Sequence, residues 1–321
     1  MLITLIMTVA QSENKPLPTT SIKHILIVGA GTMGQQIGLQ CAMYGLKVML
    51  YDVDQDALQN ALERIESYSG QLIAGGRLSS KDAAAAQARI TITTNPAKAG
   101  EEADLLSESV PEDPALKQEV FRLFDKHCPP HTIFTTNTSS LVPSLMAEAT
   151  GRPAQFCAFH FHQPVWSANL VDVMPHPGTG AEIVEQLELF ARQIGQIPIV
   201  LHKENYGYVF NAMYNALNRE AITLAANGIA SVEDIDRAWM VVMKMPVGPL
   251  GMLDFVGLGT AYHITAYWAD LLKDPQTQTN ALFLKKYVDK GWLGVQTGRG
   301  FYSYPDPLYA QPDFLEGKQR E

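Results

Sequence analysis

Cysteine is scarce: the 321-residue chain has three, Cys41, Cys128 and Cys157. Three scattered thiols cannot build a disulfide framework, and no two stand at metal-ligand spacing. They read as buried or idle thiols of a reducing compartment, taken here as the cytoplasm, and no metal site is expected. Positive charge is scarce as well. Lysine and arginine total 24 against 33 aspartates and glutamates, a formal charge of −9. Such a chain lacks the basic face that a nucleic-acid backbone requires. No apolar run reaches the ~18 residues of a membrane-spanning helix. Met1 to Ala10 is apolar like a short signal core, but the first cation is Lys15, so the basic flank is missing. Residues 1–21 are therefore expected to be a flexible extension, with Met7 an alternative start and Pro16 and Pro18 marking a linker. Hydrophobic residues make up 46% and charged residues 18%, which excludes global disorder. The length suggests about two domains.

Strands and helices alternate over the first two thirds. Ile22–Val28 is a compact apolar run of the kind a buried parallel strand shows. Further strands are expected at 48–51, 90–93, 105–107, 133–136, 156–160, 169–174 and 198–201. Helices are expected at 33–44, 54–74, 114–127, 144–149 and 180–194. This alternation predicts a doubly wound parallel sheet. After about residue 205 the pattern is nearly all helical: a long helix over 207–226, another opened by the capping box Ser231–Asp234, then 260–272 and 278–290. The expected domains are 22–204 and 205–305, with 306–321 as a tail.

Gly29-Ala30-Gly31-Thr32-Met33-Gly34 sits between the first strand and the first helix, as a dinucleotide fingerprint requires. Gly29 permits the tight turn, Gly31 a close approach to a pyrophosphate, and Gly34 close packing of helix on strand. The helix N-terminus offers free N–H groups and partial positive charge. Asp52, 18 residues beyond Gly34, ends the second strand. A carboxylate there accepts from ribose hydroxyls and repels a 2′-phosphate, which favours NAD over NADP. The fold class is thus α/β: a Rossmann-type doubly wound sheet followed by an all-helical C-terminal domain.

Three segments carry candidate chemistry: Thr136-Asn137-Thr138-Ser139-Ser140 after a strand, Phe156–His160 ending in histidine, and Asn169–Met174 containing Asp172. Oxidising a secondary alcohol needs a base for the hydroxyl proton, and histidine suits this. If the last two strands pair, Asp172 reaches His160 and orients its ring. His131, His162 and His176 are nearby competitors that composition cannot rank. Asn211, Asn215 and Asn218 share one helical face.

At these residues the chain resembles the 3-hydroxyacyl-CoA dehydrogenase family, from Ile22 to about Tyr304. The motifs are Gly29–Gly34, Glu108-Ser-Val-Pro-Glu112, Asn137–Ser140, His160-Phe-His-Gln-Pro164 with Asp172, Gly207-Tyr-Val-Phe-Asn211, Gly248-Pro249 with Asp254–Gly257, and Thr297-Gly-Arg-Gly-Phe-Tyr302. The resemblance implies NAD-dependent oxidation of L-3-hydroxyacyl thioesters and a homodimer formed through the C-terminal domain. It implies His160 as base, Asp172 as its holder, and Ser139 and Asn211 on the substrate oxygens. It places Glu112 and Lys117 near the nicotinamide ribose, and Gln163 with the cofactor.

The chain departs from the family pattern at several points. His-Phe-Phe-Asn-Pro is here His160-Phe-His-Gln163-Pro164, Asp172 stands for Glu, and Gln296 stands for a lysine. Trp166 is bulky where the family is smaller. The helix tail that contacts CoA in the family has a serine and a lysine. Ser67 matches the serine, but 68–76 has no lysine, leaving Arg64 and Arg77 as substitutes. Two alternatives to a CoA thioester substrate therefore stand: a dehydrogenase of a free 3-hydroxy acid, sugar-acid or carnitine-like, and a NAD-binding structural or sensor protein.

Overall fold

The first strand, β1 (His24–Val28), alternates its side chains between two buried faces, and the rest of its domain is built on those faces. The computed structural model describes residues 20–317. The extension expected over 1–21 lies outside the described residues up to residue 19. Thr20 is already anchored: its backbone N–H and hydroxyl donate to Gln193 Oε1 at 2.9 and 2.8 Å.

The described residues form two compact units, one ending at Val209 and the other starting at Phe210. In the first, β1 is joined by β2 (Lys47–Tyr51), β3 (Ile90–Thr93), β4 (Leu105–Glu108), β5 (Ile133–Thr136), β6 (Phe156–Phe161), β7 (Leu170–Pro175) and β8 (Ile197–Val200). Their order in the sheet is β3-β2-β1-β4-β5-β6-β7-β8. Every neighbouring pair is parallel except β6 and β7, which run antiparallel. That reversal departs from a uniformly parallel sheet. Residues 162–169 are too few for the helical crossover that a parallel return needs.

The helices of this unit are α1 (Thr32–Met43), α2 (Gln55–Ala74), α3 (Ser80–Gln87), α4 (Pro96–Gly100), α5 (Pro114–Asp125) and α6 (Ala181–Gln193). Ile25 and Ile27 of β1 pack with Ile37, Leu58, Ile65 and Leu187 of α1, α2 and α6. Leu26 and Val28 pack with Phe121 and Phe124 of α5 on the other face. Burying each such side chain contributes about 1.5–3 kcal/mol. The short α3 and α4, capped by Ser79 and Asn95, were not expected. The helix expected over 144–149 is instead two three-ten turns, Pro143–Leu145 and Ala147–Thr150, stopped by Gly151 in the left-handed region. Cys41, Cys128 and Cys157 are free and buried, and burial pushes the first two thiols up to about 12.

The second unit contains α7 (Phe210–Ala226), α8 (Val232–Met243), α9 (Pro249–Val256), α10 (Leu258–Leu272) and α11 (Pro275–Val288) around Ile222, Ile235, Leu250, Leu253 and Leu284. α7 starts three residues later than expected, because Gly207 and Tyr208 have φ of 78° and 54° and cannot join a right-handed helix. Ser231 caps α8 by accepting from the Asp234 N–H at 3.0 Å. Two buried aspartates organise the unit. Asp236 accepts from the Leu250 and Gly251 N–H groups opening α9 and from the Tyr302 hydroxyl. Asp254 accepts from the Phe301 and Tyr302 N–H groups and the Tyr304 hydroxyl. Leu250 and Gly251, directly after Gly248-Pro249, and Phe301 and Tyr302 of the Thr297–Tyr302 motif thus donate to two carboxylates within this unit. The segment expected to be a tail is packed against it as far as residue 317. Phe314 is buried, with the Arg237 guanidinium 4.7 Å from its ring centroid. No described helix is long and apolar enough to cross a membrane.

Candidate active site

The carboxyl ends of β1, β2, β4, β5 and β6 lie along one edge of the sheet, because these strands are mutually parallel. Ligands of open α/β sheets bind at this edge. The glycine loop follows β1. Gly29 has φ of 108°, and its N–H donates to the Tyr51 carbonyl at 2.8 Å. A Cβ on Gly34 would come within 1.9 Å of the Gly29 carbonyl oxygen, so the loop and α1 pack directly on each other. Gly31 differs, since a Cβ there would meet nothing within 4 Å. It borders open space above the N-terminus of α1, which has no side-chain cap and no acidic residue in its first turn. Thr32, Met33 and Gly34 form that first turn. Free N–H groups facing open space make a site that fits a pyrophosphate. Asp52, just past β2, accepts from the Ala30 N–H at 2.8 Å through Oδ2 and from the Asp54 N–H at 3.1 Å through Oδ1. It braces the glycine loop, and each oxygen keeps a lone pair for a ribose hydroxyl.

The loops after β4 and β5 are locked by a buried cation. Lys117 is fully buried, and its ammonium donates to Glu108 Oε1 at 2.8 Å and Oε2 at 3.0 Å. Glu112 Oε2 lies 3.3 Å from the same nitrogen. Lys117 therefore braces two carboxylates and presents no exposed charge of its own. Glu112 Oε1 accepts from the Thr138 hydroxyl and, at 2.7 Å, from the Ser140 hydroxyl. Burial works to raise the Glu112 carboxyl, but Thr138, Lys117 and Ser140 outweigh it and hold it below the ordinary range. Ser139, between these two ligands, is exposed.

The antiparallel register of β6 and β7 sets His160 directly opposite Asp172. Opposed residues point to the same face with their Cβ atoms about 5 Å apart, close enough for the short aspartate arm. His160 Nδ1 is 3.1 Å from Asp172 Oδ2, and both side chains are buried. A carboxylate can only accept, so Nδ1 carries the proton and Nε2 keeps the free lone pair. Burial depresses the His160 imidazole below its ordinary value. Asp172 opposes this shift and the neighbouring His162 adds to it. Burial works to raise Asp172, but the two histidines together hold it below the carboxylate range. The Tyr208 ring stacks on His160 with centroids 4.7 Å apart.

The competing histidines now separate. His131 is 64% exposed beside Asp104. His176 is held by the Pro153 carbonyl at 2.8 Å and the Gly178 N–H at 3.1 Å. His162 shares Asp172 with His160, its Nε2 standing 3.0 Å from the same Oδ2. The donor atoms of His160, His162 and Asp172 all lie within 4.8 Å of one another. Hydrogen bonds within this group already engage those atoms.

The sequence motifs contain Glu108, Thr138 and Tyr208 but gave them no role of their own, and left His162 as a mere competitor. Its period-two spacing from His160 was the available signal. Gln163 is exposed beyond β6. Asn211 is the second residue of α7, in the second unit, and half-buried. At the end of α2, Arg77 donates to the Trp166 carbonyl at 3.2 Å, and the Trp166 and Tyr68 ring centroids are 5.3 Å apart.

Residues 24–205 match the family model of the 3-hydroxyacyl-CoA dehydrogenase NAD binding domain, and residues 207–304 match that of its C-terminal domain. The chain is 34% identical over 285 residues to a probable 3-hydroxybutyryl-CoA dehydrogenase of Bacillus subtilis, covering 89% of this chain and 98% of the relative. It is 33% identical over 292 residues to the mitochondrial hydroxyacyl-coenzyme A dehydrogenase of Homo sapiens, covering 88% and 91%. Among solved structures it is similar to a diketoreductase with substrate-directed dual catalysis of dicarbonyl compounds. The TM-score is 0.82 at 37% identity, over 89% of this chain and 100% of that one. It is also similar to (S)-3-hydroxybutyryl-CoA dehydrogenase of Ralstonia eutropha, with TM-score 0.81, 31% identity and the same coverage.

Proposed function

The chain belongs to the 3-hydroxyacyl-CoA dehydrogenase family of NAD-dependent oxidoreductases, and from that premise we propose that His160 is the base that oxidises an L-3-hydroxyacyl-CoA to the 3-ketoacyl-CoA. The observation that carries this reading is the buried His160–Asp172 pair with its 3.1 Å hydrogen bond. Bound NAD supplies the hydride acceptor. Gly29 to Gly34 and the start of α1 hold its pyrophosphate, and Asp52 holds a ribose. His160 Nε2 takes the hydroxyl proton in oxidation and returns it in reduction. Asp172 keeps Nδ1 protonated and stabilises the imidazolium that forms. Burial keeps His160 neutral at physiological pH, which is the form a base needs. The Lys117–Glu108–Glu112 brace holds the loops that carry Glu112 and Ser139 at the site. Ser139 and Asn211 as donors to the substrate oxygens, and Gln163 beside the cofactor, belong to the same proposal.

A second reading keeps the chemistry and removes CoA, making the substrate a free 3-hydroxy acid or dicarbonyl. One observation favours it. The end of α2 lacks a lysine, and Arg77 there is engaged by the Trp166 carbonyl. The diketoreductase similarity points the same way. Following NADH absorbance with acetoacetyl-CoA and with free acetoacetate separates the two. Oxidation of NADH with the thioester alone supports the CoA reading, and oxidation with the free dicarbonyl alone supports the second. Turnover with neither, despite NADH binding, calls for a panel of sugar acids and carnitine analogues, and failure of that panel as well leaves a NAD-binding sensor.

Two further assignments belong here. Met213, Phe255, Tyr267 and Leu272 of the second unit are each at least 62% exposed. We assign such surface to a homodimer, which light scattering of the purified chain tests. The free, buried thiols fit a cytoplasmic setting, which imaging of the tagged full chain tests.

A further inference from the structure

Asp172 serves two imidazoles through one oxygen. His160 Nδ1 and His162 Nε2 stand 3.1 and 3.0 Å from the same Oδ2. The two rings meet edge to face, with centroids 4.6 Å apart. Strand geometry brings this about. Residues two apart on a strand share a face, and His162, one residue past the end of β6, continues that alternation so that both histidines stand beside Asp172. His160 is directly opposite it in register, and His162 is on the diagonal, within reach of a long or aromatic side chain. The other carboxylate oxygen, Oδ1, is buried and has no hydrogen-bond partner among the described residues. The pattern that this motif resembles has phenylalanine where His162 stands, and a phenyl ring donates no hydrogen bond.

Resting on the reading of His160 as the base, we propose that His162 is a positioning residue that holds Asp172 alongside His160 and divides its one engaged oxygen between two donors. The consequence is electrostatic as well as mechanical. An oxygen that already accepts one N–H stabilises a second, charged donor less than an undivided oxygen does. The imidazolium formed at His160 during oxidation therefore receives less support than a dedicated carboxylate would give. The remaining groups around His160 do not duplicate this effect. Glu112, from the loop after β4, favours the imidazolium. Tyr208 stacks on the ring, and burial pushes its own ionisation far above neutral pH. Cys157 lies on the same strand, but burial keeps its thiol neutral. His162 is the neighbour that both touches the Asp172 carboxylate and opposes the charge on His160.

The perturbation is His162→Phe, which keeps a ring and removes the donor. Its companion is His162→Gln, which keeps an N–H donor without an imidazole. The readout is the pH dependence of kcat/KM for oxidation of (S)-3-hydroxybutyryl-CoA by the full chain, with NADH binding measured in parallel. Oxidation needs neutral His160, so activity rises with pH through the ionisation of that residue. With Asp172 undivided the imidazolium is favoured. His162→Phe should thus shift the acidic limb upward by about half a pH unit or more, a threefold change in the proton equilibrium. His162→Gln should stay within about 0.2 units of wild type, because the second donor is restored. NADH affinity should not change in either variant. A limb that stays in place in His162→Phe while kcat falls would make His162 a packing residue only, and equal shifts in both variants would assign the effect to the imidazole's direct electrostatic action on His160 and overturn the divided carboxylate. If His160→Ala left the wild-type limb unchanged, the base assignment itself would fail. A limb abolished by His160→Ala but unmoved by His162→Phe overturns the shared carboxylate alone.

Discussion

Asp172→Asn probes the pair more sharply than deletion of the base, because the geometry limits what the substitution can disturb. Both imidazoles bond to Oδ2, at 3.1 and 3.0 Å, and Oδ1 has no partner among the described residues. An amide can place its oxygen where Oδ2 was and its NH2 where Oδ1 was. Both hydrogen bonds then survive, and so does the His160 tautomer. What disappears is the negative charge. Opposite unit charges about 4 Å apart interact by about 4 kcal/mol at an effective dielectric of 20. The charge assistance lost from the hydrogen bond contributes to that same figure. At about 1.36 kcal/mol per decade this corresponds to a fall in turnover of roughly a thousandfold. It is less than the ~10⁴ seen where a comparable substitution inverts the tautomer. The buried NH2 without a partner costs about 1–3 kcal/mol of stability, so a lower melting temperature should accompany the loss. The assay is steady-state oxidation of (S)-3-hydroxybutyryl-CoA followed by NADH absorbance, with NADH affinity measured separately. A fall in kcat of less than about tenfold, with NADH still bound, would refute the claim that the Asp172 charge stabilises the imidazolium.

Other substitutions test other parts of the site. His160→Ala should lower turnover by at least ~10² while leaving NADH affinity nearly intact, and wild-type turnover would sink the base assignment. Asp52→Ala should relax the preference for NADH over NADPH, measured as the ratio of their dissociation constants, and an unchanged ratio would assign ribose recognition to another residue. Gly31→Val and Gly34→Ala should separate binding from folding. The first projects into open space and should weaken NADH binding by about tenfold or more at nearly unchanged melting temperature. The second drives a Cβ to 1.9 Å from the Gly29 carbonyl oxygen and should destabilise the fold; equal effects of the two on stability would contradict this. Burial pushes Asp236 up to about 6, so at pH 7 it is ionised. Asp236→Asn turns a donor toward the Gly251 N–H or the Leu250 N–H and should cost about 2–4 kcal/mol in urea unfolding of the chain; a neutral result would mean that the α9 cap is dispensable.

How much the sequence showed depended on distance along the chain. The first strand, the glycine loop, α1, β2 and Asp52 were legible because they are contiguous and each step has its own local signal. Ser231 was legible as a cap because its partner, Asp234, is three residues away. The short helices α3, α4 and α9 escaped, since so few residues show little periodicity. The start of α7 was misplaced because the positive φ of Tyr208 has no side-chain signature.

Composition and periodicity by themselves determined an acidic two-domain α/β chain with a dinucleotide loop, and motif order added a resemblance to a family of dehydrogenases. Only the tertiary structure set His160 opposite Asp172, joined Lys117 to Glu108 and Glu112, and brought the segments at Gly248 and Thr297–Tyr302 to Asp236 and Asp254. It also placed two histidines on one Asp172 oxygen. The physical reason is common to all of these. Strand register and side-chain hydrogen bonds link residues tens of positions apart, as Asp236 and Tyr302 are 66 apart, and a sequence pattern carries the period of its own element but not the partner across from it.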